Sequence, residues 1–142
     1  MRSLSHIRTS ITIFIAMCLV LVSCAGQSGS MGNTWQEQYD LGVRYLAEGN
    51  YEEAIIAFTA AIEIDPNRVE AYMGRGDAYV GSGEMEENLT AALADYETAV
   101  ALDETLVDAW FRLAEVYISR GDYDMALEVL YSGIESTGGV AE

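Results

Sequence analysis

Three tyrosines constrain the fold more than any other feature of the chain. Tyr45, Tyr79 and Tyr117 recur at spacings of 34 and 38 residues, and Gly42, Gly76 and Ala114 keep the same two steps. Tyr72 and Trp110 are also separated by 38. A second set follows each glycine turn: Ala54-Phe58-Ala61, Ala92-Tyr96-Ala99 and Ala126-Leu130-Gly133 all keep gaps of four and three. Such gaps place their residues on one face of a helix. The pattern predicts an all-α chain of three antiparallel helix hairpins, about six helices. A lone hairpin cannot bury its apolar sides, whereas stacked neighbours can, and about three units are usually needed.

Small residues such as Gly42 with Ala54, or Ala114 with Ala126, let paired helices approach closely while the aromatic residues fill the layer between them. Gly49-Asn50 and Gly121-Asp122 each join a helix-ending glycine to an N-cap residue. Asn50 followed by Glu53 has the spacing of a capping box. Asp65-Pro66, which holds the single proline, separates the first unit from the second.

The pattern is similar to the tetratricopeptide repeat, whose 34-residue unit carries an aromatic residue, Leu-Gly, Tyr, Ala, an aromatic residue, Ala and Pro at fixed intervals. Residues 35–68 match with Leu41-Gly42, Tyr45, Gly49, Tyr51, Ala54, Phe58, Ala61 and Pro66. The third unit, 107–140, matches with Trp110, Leu113, Ala114, Tyr117, Gly121, Tyr123, Ala126 and Leu130. The middle unit, 69–106, departs: Arg75 stands where leucine is usual, Glu104 replaces the proline, and four residues are added between Gly83 and Ala92. Four residues are about one helical turn, so the insertion lengthens the turn and the next helix without rotating its apolar face. The resemblance implies a right-handed superhelical array whose first helices line a concave surface.

The N-terminus has another character. Arg2 and Arg8 precede Ile11 to Val22, an apolar run of 12 residues, shorter than the roughly 20 needed to span a bilayer. A basic start, a short apolar middle and a small residue before a cut are the parts of a secretory signal peptide. Leu21-Val22-Ser23-Cys24 resembles the lipobox of bacterial lipoproteins. That resemblance implies that residues 1–23 are removed and that Cys24 carries the lipid. Residues 24–34 then form a lipidated cysteine followed by a flexible linker. An uncleaved membrane anchor and an ordinary exported protein are the other readings. The location implied is the outer, extracytoplasmic face of a bacterial cell membrane. Ala25 permits an outer-membrane address where the source has two membranes.

Loss of residues 1–23 would leave five arginines against 23 acids, with no lysine anywhere. A surface so acidic is repelled by nucleic-acid phosphates and anionic headgroups, so membrane association must come from the lipid. The same cut removes His6, leaving neither His nor Lys and no free Cys. The commonest general base, the Schiff-base amine and the thiol nucleophile are then all missing. Asp122-Tyr123-Asp124 lacks the later ligands and glycine of a calcium loop. Neither a metal nor a cofactor is expected.

The expected function is non-enzymatic: a scaffold in the bacterial envelope that binds a protein partner. A solute-capture lipoprotein serving a transporter is the alternative, with an assembly factor for pili or outer-membrane proteins as a special case of the scaffold. The inward positions implied by the resemblance are Tyr39, Val43 and Leu46, then Met73, Asp77 and Val80, then Phe111, Glu115 and Ile118. Tyr39, Met73 and Phe111 stand at equivalent places and predict an apolar strip flanked by acids. Such a strip suits a segment with apolar anchors and positive charge. Some relatives grip a C-terminal carboxylate with Lys, Asn and Arg; Val43, Asp77 and Glu115 occupy the matching places here, so that activity is not implied. The last helix should leave Leu127, Leu130 or Tyr131, and Ile134 without a following unit. This face would pair with a copy of itself, dock on a partner or fray.

Overall fold

The computed structural model describes residues 34–83 and 85–138. The expected signal peptide, the expected lipidation site Cys24 and all of the expected linker but Thr34 lie outside the described residues. Six helices follow in order: α1 Trp35–Glu48, α2 Tyr51–Ile64, α3 Val69–Gly81, α4 Glu86–Leu102, α5 Val107–Arg120 and α6 Tyr123–Ser136. Each packs on the next, and α1 also touches α3. The hairpins α1–α2, α3–α4 and α5–α6 are the three units read from the sequence. Among the described residues no helix is long and apolar enough to cross a membrane.

The turns explain where helices stop. Gly49 and Gly121 end α1 and α5 with φ of 76° and 81°, a left-handed conformation that costs glycine little. In both turns the glycine N–H reaches back three residues, to Leu46 O (3.1 Å) and Ile118 O (2.9 Å). The next N–H closes the turn on Tyr45 O and Tyr117 O, both at 2.9 Å. The expected box at Asn50 is not formed. Its side chain makes no cap bond, and its amide donates instead to Glu48 Oε2 at 3.0 Å. Asp122 likewise makes no cap bond and lies 3.5 Å from Arg120. The reciprocal box is at Thr34, the last residue of the expected linker. Thr34 Oγ1 accepts the Glu37 N–H at 3.3 Å, and Glu37 Oε2 accepts the Thr34 N–H at 3.1 Å. Asp65 and Asp103 end α2 and α4 alike, each accepting the N–H two residues on, at 3.2 and 3.0 Å. Bonds from the Thr105 hydroxyl and N–H hold the Asp103 carboxyl below its ordinary range.

Within the hairpins, ring and small residue are matched. A Cβ on Gly42 would stand 2.7 Å from the Phe58 ring, and one on Gly76 2.6 Å from Tyr96. Phe58 and Tyr96 are the largest fully buried side chains, each worth roughly 1.5 to 3 kcal/mol of burial. In the third hairpin Ala114 replaces the glycine, and Leu130 replaces the ring. The four-residue insertion lengthens α4 to 17 residues against 14 in α2 and α6. Ala92, Tyr96 and Ala99 keep their buried face.

Arg75 explains the missing leucine. Its guanidinium donates to both oxygens of Asp95, at 2.8 and 2.7 Å, and to Thr59 Oγ1 at 3.0 Å. Asp95 is only 4% exposed. One side chain thus ties α3 to its own partner helix and to the hairpin before it. The bond to Asp95, more than its charge, raises the Arg75 pKa against the cost of burial.

Candidate peptide-binding groove

A groove of about 450 Å³ runs across α1, α3 and the start of α5. Tyr39, Val43 and Leu46 form one wall and Met73 and Asp77 the other, so five of the nine residues expected from sequence meet here. Phe58 reaches the groove floor beside Gly74, where a Cβ would stand 2.5 Å from the ring. Val80 and Glu115 line a separate hollow of about 240 Å³ with Arg112. Phe111 and Ile118 are exposed on α5 and line neither.

The strip is therefore not even. Tyr39 stacks on Trp35 with ring centres 4.8 Å apart and tilts against Phe58 at 5.8 Å. Burial, followed by the nearby Glu70 and Asp40 charges, pushes its phenol pKa up. Met73 packs on the core of hairpins 2 and 3. These two residues are half support and half surface, whereas Phe111 stands mostly in water.

Asp77 is also more than a groove acid. It accepts the Tyr96 hydroxyl at 2.7 Å and lies 3.7 Å from Arg112 Nε. Burial, the Asp77 bond and its charge hold the Tyr96 phenol neutral well beyond the ordinary range. Arg112 also faces Glu115 at 3.4 Å and Asp108 at 4.0 Å, and Asp77 is the main cause of its raised pKa. Along the concave side four carboxylates, Glu70, Asp77, Asp108 and Glu115, stand against one guanidinium. Glu70, Asp108 and Arg112 were not anticipated; placing Glu70 and Asp108 at the first turns of α3 and α5 would have found them.

A family model described as TPR repeat matches residues 42–83, and one described as Tetratricopeptide repeat matches residues 85–138. The chain belongs to the tetratricopeptide repeat family, and the three hairpins form its right-handed solenoid. Among solved structures it is similar to the TPR2B domain of yeast Sti1 in complex with pHsp70. That likeness has 25% identity and a TM-score of 0.66, over 75% of this chain and 82% of the other. It is also similar to the Sgt2 TPR domain from Aspergillus fumigatus, with 29% identity and a TM-score of 0.65 over 80% and 74% of the two chains. MamA is 28% identical over 78% of this chain and 62% of its own, with a TM-score of 0.68. No curated protein sequence matches significantly.

Proposed function

We propose that the chain is a lipid-anchored, non-enzymatic scaffold on the extracytoplasmic face of a bacterial membrane, and that its groove takes a protein segment with apolar anchors and positive charge. The observation that carries this reading is an apolar trough with acids on its rim: Val43, Leu46 and Met73 within, Glu70 and Asp108 at the edge. An aliphatic side chain would enter the trough, and an adjacent Lys or Arg would meet the carboxylates. The Sti1 domain in complex with pHsp70 supports a peptide-binding role. The anchor rests on Leu21-Val22-Ser23-Cys24 behind the apolar run.

Titration of the full chain with labelled peptides that share apolar anchors but carry either Lys or Glu between them tests the groove. The Lys series should bind and weaken with salt, and Glu70→Gln or Asp108→Asn should each lower affinity about two- to five-fold, as for exposed charge pairs of up to about 1 kcal/mol. Equal binding of the Glu series would defeat the charge assignment. Metabolic labelling with a palmitate analogue tests the anchor: Cys24→Ala should lose the label, and undiminished label would sink that part of the reading.

A further inference from the structure

The two end faces of the array repeat the chemistry of its internal interfaces. Between hairpins 2 and 3, α4 presents Leu89, Leu93, Glu97 and Val100, and α5 answers with Leu113 and Tyr117. Leu89, Leu93 and Leu113 keep 4, 6 and 5% exposure, with Val100 and Tyr117 packed on the same cluster. The Tyr117 hydroxyl donates to Glu97 Oε1 at 3.4 Å. At the junction before it, Arg75 donates to Thr59, which stands in the place of Glu97.

On α6 the same four places are held by Tyr123, Leu127, Tyr131 and Ile134, which are 65, 54, 70 and 43% exposed. On α1 the places of Leu113 and Tyr117 are held by Leu41 and Tyr45. These line a shallow hollow of about 190 Å³ with Ile56 and Ala57. Two charged residues depart on α1: Glu37 stands where Ala71 and Ala109 are buried in the later hairpins, and Arg44 where Ala78 and Val116 are. Arg44 is the only cation on α1, beside the acids Glu37, Asp40 and Glu48, while α6 carries Asp124, Glu128 and Glu135 and no cation.

We propose that copies of this chain associate head to tail, with α1 of one copy on α6 of the next, continuing the contact that α5 makes with α4. Leu41 and Tyr45 of the second copy cover Leu127, Tyr131 and Ile134, and Arg44 offsets part of the acidic charge that α1 and α6 both carry. A contact between unlike faces leaves one face free at each end, so it builds rows instead of closing as a dimer. The net charge of −16 opposes it, so association should strengthen as salt screens the repulsion.

Sedimentation velocity of the full chain in detergent, at rising protein and salt concentrations, gives the first reading, with a series of oligomers expected. Leu41→Glu blocks the head and Leu127→Glu the tail. Each variant alone should remain monomeric with unchanged far-UV helicity, and an equimolar mixture should form a one-to-one dimer and nothing larger. As a check independent of the Leu41 variant's folding, a benzophenone amino acid at position 131 should cross-link to residues 38–45 of a second copy. A monomeric parent chain at all concentrations, a Leu41→Glu variant that dimerises alone, or cross-links confined to α6 would each overturn the proposal.

Discussion

Hairpins 2 and 3 share one backbone plan and join their helices by different chemistry. In the third, Leu113 and Val129 fall in one buried apolar cluster. In the second, the equivalent places hold Arg75 and Asp95, bonded twice at 2.7 and 2.8 Å. In the first, Leu41 and Ala57 line one hollow. Position in the repeat therefore fixes that two side chains meet, and leaves open whether the meeting is apolar or ionic. The ionic version carries a desolvation cost that its attraction only offsets when the geometry is good. What it adds is direction, because the third guanidinium nitrogen is free to bond Thr59 in the previous hairpin.

The largest effect should come from breaking this pair on one side. Asp95→Ala leaves a largely buried guanidinium without its partner and should cost about 3 to 5 kcal/mol, read by urea unfolding. Arg75→Leu with Asp95→Val makes hairpin 2 chemically like hairpin 3 and should recover most or all of that loss. A double variant as weak as the single one would show that the two hairpins are not interchangeable.

A smaller loss follows from the ring and glycine pairing. Gly76→Ala puts a Cβ 2.6 Å from the buried Tyr96 ring and should cost about 1 to 3 kcal/mol through overpacking. The third hairpin accepts Ala114 at that place because Leu130, not a ring, lies opposite. Thermal unfolding of Gly76→Ala measures the difference, and an unchanged midpoint would mean that the ring shifts freely.

The smallest effects separate two caps within hairpin 1. Thr34→Ala removes a reciprocal box and should cost about 1 kcal/mol. Asn50→Ala removes no cap bond and should stay within about 0.5 kcal/mol, as surface substitutions usually do. Equal losses in a denaturant series would contradict the assignment.

The residues whose roles were legible in the sequence are those that repeat. The tyrosines at 45, 79 and 117, the glycine turns and the four-residue insertion placed all three hairpins because periodicity reports which face is buried. Arg75 was visible as an anomaly, but its partner was not. Asp95 lies 20 residues away, and it stands out only when aligned with Ala57 and Val129. The groove was half legible. Inward positions follow from the family resemblance, yet how deep each side chain sits depends on its neighbours: Tyr39 has Trp35 and Phe58 to lean on, and among the described residues Phe111 has no equivalent ring contact. Asp77 looked like an open acid because nothing local points to the Tyr96 hydroxyl. Caps were the least reliable, since Asn50 had the right type and spacing but turned to Glu48 instead.

The lengthened α4 has a consequence for how such an array can change. An addition of about one turn returns the following residues to the same side of the helix, so chain length here can vary in whole-turn steps without disturbing what comes after. The added stretch has also taken up structural duties. Glu86, within it, pairs with Arg120 at the far end of α5, nitrogen to oxygen 3.0 Å. A stretch that other hairpins lack has become a brace between neighbours, so deleting it would loosen the junction that its insertion left undisturbed.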